Sequence, residues 1–180
     1  FTLHAGLLKK IKREAMLARE GKPAHIIAKI NAINEPEVIK ALYAASQAGV
    51  KIELIVRGAC CLRPGVEGMS ENITVRALVG RFLAHRRVYW FGNNGKSEIY
   101  CPSADWLERN LLRRVETCFP VLEPELAERV FIEELQYCLK DNVQSWQLAA
   151  DGKYTKNAPQ EGQAPFSAQA YLMSTLCRKR

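Results

Sequence analysis

The sequence predicts an α/β fold, a mixed sheet flanked by helices, on three observations. A strand-like run, a segment of helical spacing and a second strand-like run follow one another through short joints between His25 and Arg57. A loop with three glycines and a proline, Gly58 to Ser70, leaves the end of that second strand. Further on, Gly92-Asn93-Asn94-Gly95 sits between two more strand-like runs, and Asn and Gly tolerate the positive φ that a hairpin turn requires.

Each element has its own warrant. Residues 5–20 carry Leu7, Ile11, Ala15 and Ala18 at helical spacing, and Gly21 and Pro23 end that helix. His25–Ile33 reads as a strand. Asn34 is a candidate cap for a helix with Pro36 in its first turn, running through Val38, Ile39, Leu42 and Ala45 to Gly49. Val50–Arg57 is the second strand, rich in β-branched residues, so the unit is βαβ with parallel strands and a right-handed crossover. The loop that follows leaves the carboxyl end of a parallel strand, where open α/β sheets place their ligands.

A helix over 71–83 with Ser70 as its cap is expected next. Strands over Arg86–Phe91 and Ser97–Cys101 flank the hairpin turn. Leu112–Phe119 reads as a strand with Val115, Thr117 and Phe119 on one face and Arg114, Glu116 and Cys118 on the other. Pro124 opens a long helix through Leu126, Val130, Leu135 and Leu139. Residues 151–165 are polar with scattered Gly and Pro, a surface arm before a short helix over Ser167–Leu176. The expected organisation is one catalytic domain over 1–150, with 151–180 as its arm and terminal helix.

At 180 residues the chain has the size of one domain, and 48% hydrophobic against 25% charged residues is a globular balance. No apolar run is long enough to span a bilayer. The first residue is Phe1 rather than methionine, which suits a piece of a longer protein. Six cysteines form no C-x-x-C pair and only three histidines are available to join them, so a structural zinc site is not expected and reduced thiols in a cytoplasmic protein are. A net charge of +7 favours a polyanionic partner: nucleotide, nucleic acid, polyphosphate or an acidic membrane surface. Charge alone is equally compatible with a solvated basic face.

Five groups of residues could carry chemistry. His85 lies within Arg81-Phe82-Leu83-Ala84-His85-Arg86-Arg87, where neighbouring positive charge disfavours a further cation and a neutral imidazole could act as nucleophile or base. The arginines would hold phosphate oxygens through charge-assisted hydrogen bonds. The bland reading is a structural histidine beside a solvated turn. Arg57 ends an apolar strand at the glycine-rich loop and needs an anion or open solvent, as a phosphate ligand or as half of an edge ion pair. Arg114 and Glu116, facing the same way, read most simply as an ion pair, and Ser103 and Asp105 as caps. Lys9, Lys10, Lys12 and Arg13 read as a solvated helix face. No G-x-x-x-x-G-K-[ST], G-x-G-x-x-G, protein-kinase catalytic loop, G-x-S-x-G or H-E-x-x-H is present.

Together these segments resemble a known family. Leu54–Cys60, Leu62–Ile73, Arg81–Tyr89, Ser103-Ala104-Asp105-Trp106 with Arg109-Asn110, and Arg114-Val115-Glu116 are similar to the last domain of polyphosphate kinase of the first type, in order and in spacing, from about Leu7 to Leu148. The resemblance implies a phospholipase D-like fold, in which two similar domains each contribute a histidine followed two residues later by a lysine. Here the element is His85 with Arg87, a departure from that lysine. It implies an enzyme that reversibly transfers the terminal phosphate of ATP to polyphosphate through a phosphohistidine in the preceding domain, so this chain alone should be inactive. Carried over by motif, Arg57 is a nucleotide-phosphate ligand, His85 the second active-site histidine in contact with the nucleotide, and Arg114, with Arg87, a further phosphate-binding arginine. No metal ligand is implied here, magnesium being held mainly by the preceding domain. The expected partners are ATP or ADP, polyphosphate, the preceding domains and further copies of the full-length protein, with no specific nucleic acid. The expected location is cytoplasmic, with the inner membrane face as a peripheral site. Rival readings are a phospholipase D-like phosphodiesterase or nuclease, and a non-catalytic domain binding polyanions through its basic surface.

Overall fold

The computed structural model describes residues 3–177; the last three residues of the expected tail lie outside them. An eight-stranded mixed sheet organises the chain, built from β1 (His25–Ile30), β2 (Lys51–Val56), β3 (Ile73–Leu78), β4 (Val88–Phe91), β5 (Glu98–Pro102), β6 (Cys118–Pro120), β7 (Ser145–Leu148) and β8 (Tyr154–Lys156). The strand order is β6-β5-β4-β1-β2-β3-β7-β8. β1, β2 and β3 run parallel at the centre, and the strands on either side are antiparallel.

The predicted βαβ unit forms as two strands joined by α2 (Pro36–Gln47). Its cap is Glu35 rather than Asn34. The buried Glu35 carboxylate accepts from Val38 N at 2.7 Å, whereas Asn34 Oδ1 accepts from Glu108 N at 3.0 Å and ties the crossover to a distant loop. Gly49 ends the helix with φ +94°, a conformation that L side chains resist. Alternation along β1 splits the core in two. Ile26, Ala28 and Ile30 face α1 (Leu3–Arg19) and α2, packing with Leu7, Ile11, Leu42 and Trp106. Ile27 faces the opposite side with Ile55, Val88, Leu135 and Cys138, under a helical rod made of α3 (Pro124–Val130), a wide π-helical stretch (Phe131–Gln136) and α4 (Tyr137–Lys140). Trp106 is fully buried, and truncating so large a side chain would cost about 3–5 kcal/mol.

Three further expectations are overturned. Residues 71–83 do not form a helix. Ile73, Val75 and Ala77 alternate with Thr74, Arg76 and Leu78, so period two wins and the segment becomes β3 between β2 and β7. Ser70 caps nothing: its hydroxyl donates to Arg63 O at 2.7 Å and accepts from Val66 N at 3.0 Å, closing the glycine-rich loop on itself. Leu112–Phe119 is not one strand. A π-turn over Arg109–Arg113 buries Asn110 and Leu111, Val115 is 99% exposed, and only Cys118–Pro120 pairs with β5. Nor is the 151–165 stretch all arm, because Tyr154–Lys156 supplies the edge strand β8. The hairpin turn is as expected, with Asn93, Asn94 and Gly95 all at positive φ.

Candidate active site

The carboxyl ends of β1 and β2 approach each other closely. Arg57 N donates to Ile30 O at 3.2 Å and Gly58 N to Asn31 O at 2.8 Å. A Cβ on Gly58 would meet the Asn31 carbonyl oxygen at 3.0 Å, so a glycine lets the two chain ends touch. Arg57 is thereby delivered to the rim of the sheet. β4 starts at the same end because it runs antiparallel to β1, which places His85 and Arg87 beside Arg57.

Three of the four predicted residues therefore converge. Arg57 Nη2 lies 3.5 Å from His85 Nδ1, and Arg87 Nη2 lies 3.3 Å from His85 Nε2. Arginine only donates, and a neutral imidazole offers one acceptor nitrogen. One of these two contacts must then set donor against donor, a mismatch that an intervening anion oxygen would relieve. The Arg57 Nε is buried with no hydrogen-bond partner, and no carboxylate pairs with this arginine among the described residues. Arg114 does not join the group. It is exposed after the π-turn and makes no ion pair among the described residues, so the expected pairing with Glu116 is absent. Glu116 instead accepts from Ser103 Oγ and Asn110 Nδ2.

Arg86 and Arg87 are neutralised by different acids on opposite faces of the sheet. Arg86 pairs with Glu134 on the π-helical stretch, and the same carboxylate takes Lys29 Nζ at 2.8 Å. Arg87 is held by Asp105, with Nε to Oδ1 at 2.8 Å and Nη2 to Oδ2 at 2.9 Å. Asp105, read from the sequence as a cap, is 5% exposed. Burial opposes its charge, and the Arg87 guanidinium and Asn31 N–H outweigh that, holding the carboxyl below the ordinary aspartate range. A cavity of about 550 Å³ opens beside Arg86 and Arg87, walled by Ser103, Thr117, Phe119 and Arg129.

The segment carrying His85 is anchored from the tail. Gln169, on α5 (Ala168–Leu176), accepts from Phe82 N at 3.0 Å and donates to Phe82 O at 2.7 Å. Sequence reasoning missed Gln169, Glu134 and Lys29. Two signals were available: a lysine inside the apolar strand His25–Ile30 demands a carboxylate, and an acid on the buried stripe of the last long helix can supply one.

Magnesium, which the family resemblance implies, does not fit this donor set. Asp105 is engaged by Arg87 and Asn31, Glu116 by Ser103 and Asn110, and Glu134 by Lys29 and Arg86, and among the described residues no three metal-ligating side chains cluster. All six cysteines are free, and burial pushes the Cys60 thiol up to about 11, which keeps it protonated near neutral pH. No helix among the described residues is long and apolar enough to cross a membrane.

The chain matches the family model described as polyphosphate kinase C-terminal domain 2 over residues 1–169. It is 63% identical over 176 residues to a polyphosphate kinase of Xylella fastidiosa and 54% identical to one of Pseudomonas aeruginosa, covering 98% of this chain and 25% of each relative. The chain thus spans about a quarter of the length of the curated relatives it matches. The crystal structure of polyphosphate kinase from Porphyromonas gingivalis superposes with a TM-score of 0.92 at 37% identity, covering 99% of this chain and 27% of that one. Nuc, a phospholipase D family member from Salmonella typhimurium, shares the fold at a TM-score of 0.53 and 18% identity, over 75% of this chain and 88% of its own. The fold is therefore phospholipase D-like, and the chain belongs to the polyphosphate kinase C-terminal domain 2 family.

Proposed function

We propose that this chain is the part of a polyphosphate kinase that clamps the phosphates of ATP and serves phosphoryl transfer to polyphosphate from one side. The observation that carries this reading is the meeting of Arg57 and His85 at 3.5 Å, with Arg57 free of any carboxylate among the described residues. Phosphoryl transfer asks for positioning and for charge opposite the equatorial oxygens more than for covalent help from many groups. Arg57 supplies the charge. His85 supplies a ring N–H that can hold or move a proton at a phosphate oxygen. On this reading Arg114, exposed and free of ion pairs among the described residues, meets the polyphosphate outside the Arg57–His85 group. The phosphorylated histidine belongs to the preceding domain, as does magnesium, and the transfer is reversible. On this reading the chain alone turns over nothing and works in the cytoplasm, within a homo-oligomer of the full-length enzyme, on ATP, ADP and polyphosphate.

The test is a chimaera in which this chain replaces the matching quarter of the Xylella fastidiosa relative. It should synthesise polyphosphate from ATP, and Arg57→Ala with His85→Ala should silence it. Full synthesis by that double variant refutes the proposal. Hydrolysis of a phosphodiester by the chain alone, lost on His85→Ala, would favour a phosphodiesterase instead.

A further inference from the structure

Most of the Arg87 guanidinium is committed within the protein. Its Nε and Nη2 are spent on both oxygens of Asp105, and Nη1 reaches the His85 carbonyl oxygen at 3.4 Å. Of the five guanidinium hydrogens two remain, one on Nη1 and the second on Nη2, and the latter faces His85 Nε2 at 3.3 Å. Asp105 is itself immobilised: its Oδ1 accepts from Asn31 N at 2.7 Å and Asn31 Nδ2 at 3.1 Å, at the end of β1. Fork-to-fork pairing with a buried, backbone-held carboxylate fixes a guanidinium in direction as well as in charge.

We infer that Asp105 is a positioning residue that acts through Arg87 on His85. An arginine that can only donate holds the ring nitrogen it faces as an acceptor, which puts the imidazole proton on the other nitrogen. That nitrogen is the one turned toward Arg57. Two donors, the His85 N–H and the Arg57 guanidinium, are then aimed at one point, where a phosphate oxygen satisfies both. This assignment moves Arg87 from the phosphate ligands, where the motif had placed it, to the supports of the histidine. It rests on the proposed phosphotransfer reading.

The experiment compares Asp105→Asn, Arg87→Gln and the double variant in the chimaera, with thermal melting beside steady-state kinetics. Asp105→Asn should lower kcat by about 10- to 100-fold, the scale for losing a partner that orients a histidine. KM for ATP should stay within about twofold, because Arg57 is untouched, and the pH profile of kcat should shift. The double variant should be no slower than Arg87→Gln, since one acts through the other. Losses that multiply, a raised KM at normal kcat, or normal kinetics in Asp105→Asn each overturn the inference. If the Asn variant does not fold, Asp105→Glu is read instead: kcat per folded molecule should remain depressed, and a normal value overturns the inference. A chimaera indifferent to His85→Ala would sink the phosphotransfer reading itself, whereas a His85-dependent enzyme indifferent to Asp105 sinks only this one.

Discussion

Two histidines sit at opposite ends of the same strands and have opposite surroundings. His25 opens β1, where its Nε2 lies 2.8 Å from the Glu53 carboxylate and its ring stands edge-on to Trp90. Lys51 completes that cluster with a 2.9 Å contact to Glu53. Charge at that end is matched on the spot, as it is where Lys10 and Arg13 grip Glu98 rather than extending into solvent as expected. At the carboxyl end, His85 has arginines on both ring nitrogens, and the Asp105 carboxylate is already committed to Arg87. A histidine with an acid at hydrogen-bond distance is a finished structural device. One ringed by donors is unfinished, and what it lacks is an anion.

The comparison breaks most readily on activity. His85→Ala in the chimaera should cut polyphosphate synthesis by about 100-fold or more, the usual worth of a group that handles a proton in the transition state. His25→Gln should leave the rate within about twofold. Equal losses would erase the distinction. Next in size, Glu134→Ala strands Lys29 and frees Arg86, and should cost about 3–5 kcal/mol in denaturant unfolding; a loss below about 1 kcal/mol would show that the pair is not buried as described. Arg57→Ala should raise KM for ATP by about 10- to 100-fold, in line with one lost charge-assisted contact, and an unchanged KM would remove Arg57 from the site. The smallest effect is a pH dependence at the structural end. The His25 hydrogen bond, opposed by burial and aided by Lys51, holds the Glu53 carboxyl at about 2, below its ordinary 4.5. A depressed carboxylate stabilises the fold above its unfolded pKa, so this contribution is whole above pH 4.5 and fades as pH falls toward 2. Glu53→Gln should flatten that part of the acid unfolding curve, and an unaltered curve would place the effect elsewhere.

The βαβ centre was legible in the sequence because its strands carry continuous apolar runs and its helix has a proline start and a glycine stop. β3 was misread because Ile73-Thr74-Val75-Arg76-Ala77-Leu78 is short and flanked by Asn72 and Gly80, so few turns of periodicity distinguish helix from strand. Its three consecutive β-branched residues were the better signal. β7 and β8 are four and three residues long, too brief for any period to emerge; β7 exists through pairing with β3, and β8 through pairing with β7. At the site, residue identity could nominate Arg57 and His85 through the family motif. It could not show that Arg86 and Arg87 point to different acids, because those partners come from 48 and 18 residues away.

The amide of Gln169 stands in for a neighbouring strand against the backbone of Phe82. Trimming the polypeptide ahead of that glutamine would unhook the stretch that leads into His85, leaving the phosphate-facing ring on a slack tether. Conversely, an anion that stills His85 would be sensed on α5, as slower amide exchange along that helix.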